Sequence, residues 1–368
     1  MAKGYEMISE EKVYVLTVNP GSTSTKIGIF KRGKDAVENA ITESISHSDE
    51  ELAYFSGIIS QLQFRTEKIL DSLKKHHIAA SSLAAVVGRG GLLKPLASGT
   101  YAVNDHMISD LQSESRGSHA SNLGGLIAKS IADEANCNAY IVDPVSVDEL
   151  EPVARISGCK LFERTSLSHA LNTKAVAKRF AAASGKAYKD LRLLIVHLGS
   201  GVSVSSHVGG KMIDVNNSRE EGPFAPDRSG TVPAMALLDL CFSGKYDKKE
   251  LANLLFKKGG VASYLDTIDM RKAVEMIEAG NKEAKLVIDA LIYQVCKEVG
   301  ANAAVLEGKM DGLIITGGIA QNPYVMAPLM KKLEWLHEVT VYPGEDELQA
   351  LYEGVERVLS KEEEPLTY

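Results

Sequence analysis

Short apolar runs alternate along this chain with longer stretches of helical spacing. The first run, Val13-Tyr14-Val15-Leu16, leads into Val18-Asn19-Pro20-Gly21-Ser22-Thr23-Ser24-Thr25. A second, Leu191-Arg192-Leu193-Leu194-Ile195, leads into Val196-His197-Leu198-Gly199-Ser200-Gly201-Val202-Ser203. The offset from Val18 to Val196 is 178 residues, about half the chain. Each copy predicts a strand, a tight glycine and hydroxyl turn, and a returning strand (Lys26–Phe30; Ser203–Val208), then a Gly-Lys turn at Gly33-Lys34 or Gly210-Lys211. A repeat of this kind predicts two related half-molecules, each presenting a polar hairpin turn.

Between the copies the spacing predicts a third strand within Ala36–Ile45, a mostly helical Glu50–His76 and a buried strand Leu83–Val87 running into Gly88-Arg89-Gly90-Gly91. Helices follow over Asp105–Glu114 and Ala120–Asn136, then a strand Ala139–Val142 ending in Asp143-Pro144. The second half predicts a helix over Ser168–Ala183, a long helix Lys282–Glu307 and a strand Leu313–Thr316 broken by Gly317-Gly318. It ends with a helix opened by Asn322-Pro323 and a last helix Glu345–Leu359 that packs back on the first domain. Strands alternating with helices make this an α/β chain. The pattern is interrupted at Pro152 and Gly158. It predicts a first domain 1–152, completed by 348–368, and a second domain 153–347 that carries a nucleotide site, with the active site in the cleft between them.

Composition narrows the class. At 368 residues two domains are the expectation. A net charge of −7 without a basic stripe argues against nucleic acid or anionic membrane as partner. Cys137, Cys159, Cys241 and Cys296 lie far apart without metal spacing and read as reduced thiols of a cytoplasmic protein. No apolar run reaches the length of a membrane span, and Met1-Ala2-Lys3-Gly4-Tyr5-Glu6 lacks the apolar core of a signal peptide.

A Gly-Ser/Thr turn after a buried strand offers backbone N–H groups and hydroxyls to phosphate oxygens. One such turn is an ordinary hairpin; two at matching places suggest a clamp on successive phosphates. Leu313-Ile314-Ile315-Thr316-Gly317-Gly318-Ile319-Ala320 adds a strand running into Gly-Gly, where an adenosine can lie against backbone. The chain has no G-x-x-x-x-G-K-[ST], so it is not a P-loop protein, and no G-x-G-x-x-G after its first strand, which argues against a dinucleotide fold. Phosphoryl transfer needs cations, a metal and positioning. Arg89 in its glycine loop and Arg228 in Asp227-Arg228-Ser229-Gly230 are candidate cations, although loop arginines are commonly solvated. Asp143 and Glu347 read equally as Mg²⁺ ligands or as turn and helix-start acids. His169 and His119 read on local grounds as structural.

In this order the motifs resemble the acetate and butyrate kinase family, over about Val13 to Glu356. Asn19-Pro20-Gly21-Ser22-Thr23-Ser24-Thr25-Lys26 and Ser168-His169-Ala170-Leu171-Asn172 are similar to the butyrate kinase forms; His197-Leu198-Gly199-Ser200-Gly201 and Arg228-Ser229-Gly230 are shared by both branches. The resemblance implies two actin-like (ribonuclease H-like) domains with a duplicated β-hairpin phosphate motif, built on mixed sheets flanked by helices. It implies that Arg89 and Arg228 hold the carboxyl and the transferring phosphoryl, that His169 bonds its equatorial oxygens and that His119 supports the acyl phosphate. Asn19, Asp143 and Glu347 would organise Mg²⁺. Ser22, Lys26, His197, Gly199 and Gly201 would serve the phosphates; Gly317, Gly318, Ile319, Asn322, Asp269 and Arg271 would serve the nucleoside.

Against the acetate kinase pattern, Gly91, Ser118 and Ser168 replace larger pocket residues, and a pocket proline falls near Arg219. Smaller residues predict room for an acid larger than acetate, at about 1–3 kcal/mol per methylene. The expected reaction is butyrate + ATP = butyryl phosphate + ADP, running readily towards ATP, in a homodimer or larger homo-oligomer. Alternatives are acetate, propionate or branched acids such as isobutyrate as acceptor. More distant are a sugar or polyol kinase with Asp143 as base, or a nucleotide-gated scaffold.

Overall fold

A computed structural model describes residues 12–368. The Met1–Glu6 stretch read above lies outside the described residues. The chain divides into two compact units, one running to Ser146 and taking in Asp346–Tyr368, the other spanning Val147–Glu345.

The first unit holds β1 (Tyr14–Pro20), β2 (Ser24–Lys31), β3 (Ile41–Ser46), β4 (Leu83–Arg89), β5 (Thr100–Ala102) and β6 (Asn138–Val142). The second holds β7 (Arg192–Leu198), β8 (Val202–Val208), β9 (Lys211–Val215), β10 (Gly312–Gly317) and β11 (Val339–Pro343), and the last strand, β12 (Leu366–Thr367), returns to the first unit. The sheet orders are β12-β5-β6-β4-β1-β2-β3 and β11-β10-β7-β8-β9. In each, a three-strand antiparallel meander (β1–β3 or β7–β9) joins two parallel neighbours (β4 and β6, or β10 and β11). The repeat read in the sequence is therefore a repeat of the sheet, and the predicted α/β fold of two mixed sheets flanked by helices is the one observed. The first sheet is longer by β5 and β12 at its edge.

Strand alternation sorts the side chains to two faces. In the first unit Leu16, Val18, Ile27 and Ile29 form one core with Ile69 and Leu73 of the helix Leu62–Lys75 and with Leu123, Ile127 and Ile131 of the helix Asn122–Ala135. On the alternate positions Phe30 stacks on Tyr352 of the helix Glu347–Leu359, ring centroids 4.5 Å apart. In the second unit Leu194, Val196 and Leu198 pack with the helices Lys282–Val305 and Pro323–Leu333, while Leu193 and Ile195 pack on Ala170–Ala183.

Three local expectations are corrected. The third strand begins at Ile41, not Ala36, because Asp35–Asn39 closes a turn (Asn39 N to Asp35 O, 3.0 Å). The Glu50–His76 helix is split: Ser48 and Glu51 form a capping box on a separate short helix Asp49–Leu52, and the chain resumes helix at Leu62 after Ser56-Gly57. The short strands β5, β9, β11 and β12 have no apolar run of their own and were not predicted. Among the described residues no helix is long and apolar enough to cross a membrane.

Backbone meets backbone where the helix Asn122–Ala135 crosses β4. A Cβ on Gly88 would lie 2.0 Å from Gly124 O, and a Cβ on Gly124 would lie 2.1 Å from Arg89 O. Only glycine permits this approach, and it places the end of β4. Gly124→Ala is expected to lower stability by at least the roughly 1–3 kcal/mol typical of overpacking. Gly158→Ala, where nothing lies within 4 Å, should leave it unchanged. Urea unfolding followed by circular dichroism reads both; equal midpoints for the two variants would contradict the packing account.

Candidate active site

Because β1, β4 and β6 run parallel, their C-terminal ends share one edge of the first sheet. That edge collects Asn19, Arg89 and Asp143, and the first turn of the helix Glu347–Leu359 adds Glu347. Arg89 Nη1 pairs with Glu347 Oε1 at 3.0 Å and approaches Asn19 Oδ1 at 3.5 Å, while Asn19 Nδ2 donates to Glu347 Oε2. Asp143 is buried and adopts φ 39°, in the left-handed region. Its Oδ1 accepts from Ser98 Oγ (2.6 Å) and Gly99 N (2.7 Å). Lys26 stands opposite Asn19 in the β1/β2 ladder and is exposed. His119, exposed before the helix Asn122–Ala135, accepts Ser121 N–H on Nδ1 (3.2 Å), which leaves the neutral ring's proton on Nε2.

The first turn rests on a residue that the sequence reading passed over. Arg65 is 0% exposed. Its Nη1 donates to Gly21 O (2.8 Å), Ser24 O (3.1 Å) and Thr25 Oγ1 (3.1 Å). Nη2 donates to Ser22 O (3.0 Å) and Gln61 Oε1 (2.8 Å), and Nε also reaches Gln61 Oε1 (3.0 Å). Burial lowers its pKa. Its signal was an arginine occupying the apolar row of a helix between Leu62 and Ile69. Beside it, buried His47 meets Thr25 Oγ1 through Nε2 (2.9 Å).

In the second unit the turn is one residue shorter. Pro20 pairs with Thr25 across the first turn, whereas Leu198 pairs with Val202 across Gly199-Ser200-Gly201. His169 precedes the helix Ala170–Ala183; its Nδ1 meets Ser203 Oγ at 2.9 Å, and its ring stacks on His197 with centroids 3.8 Å apart. Asn172 Oδ1 accepts from His197 Nδ1 (2.9 Å). His197 Nε2 is buried, has no hydrogen-bond partner among the described residues and lies 3.3 Å from Glu345 Oε1, a neighbour that local sequence did not single out. A Cβ on Gly201 would lie 2.4 Å from Arg228 Nη1 and 3.1 Å from His169 Cε1. Arg228 and His169 thus reach the turn through the space glycine leaves. Arg228 Nη1 is steadied by Ser218 O (3.1 Å) and Oγ (3.2 Å). Burial raises the pKa of neighbouring Asp227, and the Arg228 charge partly opposes this.

The end of β10 opens a cavity of about 830 Å³ lined by Asp269, Arg271, Gly318, Ile319, Asn322 and Tyr324, among others. Its size suits a nucleoside. Gly317, in the strand just before, holds φ 98°. Asp269 grips Arg271 through both carboxylate oxygens, and those hydrogen bonds bring its pKa down to about 2.

Two of the three pocket positions, Gly91 and Ser118, belong to the first unit and one, Ser168, to the second. The volume expected to be vacant at Gly91 is filled, because a Cβ there would lie 2.4 Å from Asn122 Oδ1 and 2.6 Å from Asn122 Cα. Ser118 is exposed in the first unit. Ser168 belongs to the second unit and is buried with its Oγ on Met212 Sδ at 3.8 Å. Smaller residue size at these positions is therefore no measure of open space.

Burial, reinforced by Arg65 and Lys68 and only partly opposed by Glu51, brings the His47 pKa down to about 4 from 6.5. The folded pKa is the lower one, so the unfolded chain binds more protons between these values. Stability from this group is present above about 6.5 and is lost as pH falls towards 4. Thermal melts across that window should fall more steeply for the wild type than for His47→Gln; parallel curves would refute the assignment.

The Acetokinase family profile matches residues 163–366. The chain is 49% identical over 355 residues to a probable butyrate kinase of Clostridium botulinum (strain Alaska E43 / Type E3), covering 96% of this chain and 99% of that one. A crystal structure of Porphyromonas gingivalis acetate kinase superposes with TM-score 0.75 at 19% identity (94% of this chain, 99% of that one). A propionate kinase from Francisella tularensis subsp. tularensis SCHU S4 gives 0.73 at 17% (94% and 99%).

Proposed function

The chain belongs to the Acetokinase family, and we propose that it phosphorylates butyrate with ATP by direct in-line transfer, giving butyryl phosphate and ADP. It is a phosphotransferase with a carboxyl group as acceptor, and ATP and ADP are its nucleotide substrates. The observation that carries the reading is the convergence of Arg228 and His169 on the Gly201 turn. A cation and an oriented imidazole at a backbone turn suit the dispersed negative charge of a transferring phosphoryl group. The choice of butyrate is supported by the 49% identity to a probable butyrate kinase.

A carboxylate is ionised at neutral pH and attacks without a general base. Arg89 orients the acceptor carboxyl and Arg228 the phosphoryl. His169, held by Ser203 and by stacking on His197, bonds the equatorial oxygens, and His119 supports the acyl phosphate. Asp143 is committed through Oδ1 to Ser98 and Gly99 as an acceptor, an arrangement that suits a carboxylate kinase better than a polyol kinase needing Asp143 as base. Asp269, Arg271, Gly318, Ile319 and Asn322 receive the nucleoside.

Mg²⁺ fits the donors present. Asn19, Asp143 and Glu347 offer hard oxygens, and among the described residues no three acidic, imidazole or thiol groups cluster as a protein cage. Mg²⁺ usually takes one or two carboxylates and completes its shell with substrate phosphates and water. When bound it neutralises phosphate charge.

A homo-oligomer completes the proposal. The helix Ala234–Cys241 has no buried residue, and Met235 (68% exposed), Leu238 and Phe242 (84%) present apolar surface. We place the enzyme in the cytoplasm, in keeping with its four free cysteines.

In a hydroxamate assay for acyl phosphate, butyrate should exceed acetate in kcat/KM by about tenfold or more. Preference for acetate would overturn the acceptor assignment, and activity only with polyols would overturn the reaction class. Arg228→Ala should lower kcat by about 10³-fold, the scale of transition-state arginines. A variant with wild-type turnover would remove Arg228 from the mechanism.

A further inference from the structure

We propose that Arg65, a buried cation that touches no substrate, converts the first turn into a receptor for phosphate by taking up the turn's carbonyl oxygens and supplying a charge that the bound phosphate balances. The inference rests on the phosphoryl-transfer reading above and adds a positioning residue to it.

Every carbonyl of Gly21–Ser24 accepts from inside the first unit. Gly21 O, Ser22 O and Ser24 O accept from Arg65, and Thr23 O accepts from His47 N at 2.8 Å. Ser24 O also accepts from Gly21 N at 2.7 Å. The N–H groups of Ser22 and Thr23 have no partner among the described residues, and both residues are exposed. The turn therefore keeps its backbone acceptors inside and shows the outside two backbone N–H groups and two hydroxyls, which can turn their protons to an anion. Such a surface attracts an anion.

The charge points the same way. All partners of Arg65 are neutral: three carbonyls, the Thr25 hydroxyl and the Gln61 amide. Among the described residues no carboxylate pairs with it. A buried charge without a partner is costly, and Asp or Glu would be the usual remedy. A phosphate on the outer side of the same turn supplies that counter-charge when it binds. His47, which shares Thr25 Oγ1 with Arg65, is kept from adding a second charge by its burial and by Arg65 itself.

The second turn is built differently. Gly199-Ser200-Gly201 is a residue shorter, closes with Gly199 N to Gly201 O at 3.0 Å and receives Arg228 directly. Because the second turn is a residue shorter, the offset past it is 177, and the position 177 residues after Arg65 is Phe242. The repeat thus places its cation beneath one turn and beside the other.

The test compares Arg65→Lys, which keeps the charge but loses the planar fork, and Arg65→Met, which loses both, with Leu73→Ala. Leu73 is a buried core residue of the same helix, remote in sequence from the turn, so it destabilises the helix without altering the turn. Calorimetry measures the affinities of the folded proteins for ATP and for ADP, beside kcat and melting temperature. The ATP-over-ADP margin should shrink by about tenfold or more in Arg65→Met, the size of a lost charge-assisted hydrogen bond, and less in Arg65→Lys. With the nucleoside and β-phosphate on the second unit and the γ-phosphate at the first turn in this reading, ADP affinity should hold, and kcat should fall by on the order of 10²-fold. Leu73→Ala should lose melting temperature and keep both the margin and kcat. If Arg65→Met does not fold, Arg65→Lys against Leu73→Ala decides. An unchanged margin in the Arg65 variants, or one that follows melting temperature alike in all variants, overturns the proposal. A wild type that makes no acyl phosphate from any short acid overturns the functional reading instead, and the nucleotide margin still reads Arg65.

Discussion

A backbone turn receives phosphate only if its carbonyl oxygens are satisfied elsewhere, since N–H donors and C=O acceptors alternate along the same chain. The two hairpins meet this constraint differently. The first spans Gly21–Ser24, and its carbonyls turn inward onto Arg65 and the backbone of His47. The second spans Gly199–Gly201, is a residue shorter, and like the first closes on its own backbone, Gly199 N to Gly201 O beside Gly21 N to Ser24 O. Where the first hairpin uses one glycine and a buried guanidinium, the second uses two glycines and leaves its space to Arg228 and His169. The duplication is real in the sheets and is broken at the turns, where the chemistry differs.

The parallel pairing of β1 with β4, and of β7 with β10, does the rest of the positioning. Parallel strands end on one edge, so residues far apart in the chain are delivered side by side. Asn19 and Arg89 are 70 residues apart, and Glu347 lies 258 residues beyond Arg89, yet the three share a hydrogen-bonded group. The approach of Gly124 to Arg89 O fixes the height of β4 against its helix. A small change of volume there would move Arg89 and the group it belongs to.

Much of this was legible. The offset repeat gave the duplicated sheet because strand, turn and strand each carry a local signature. Pro323 and Asn322 marked a helix start, and His169 lay at one as its neighbours suggested. The short strands β5, β9, β11 and β12 were not legible, because they gain their ladder bonds from neighbours rather than from an apolar run. Pocket size was misread for a related reason. Gly91 is small because Asn122 occupies the adjoining space, so a missing side chain marked a close approach rather than a vacancy.

The sequence by itself determined the two half-molecules, the paired glycine and hydroxyl turns, the strand running into Gly317-Gly318 and the family, since these rest on local order: apolar period, glycine and hydroxyl spacing, motifs in succession. Only the tertiary structure decided that Arg65 lies under the first turn, that Glu345 faces His197 and that the Gly91 space is filled. Arg65 within its helix and Glu345 at the start of the last predicted helix look like solvated charges when read along the chain. What makes them otherwise is which carbonyls and rings the fold carries against them, and that is set by packing between segments that share no local pattern.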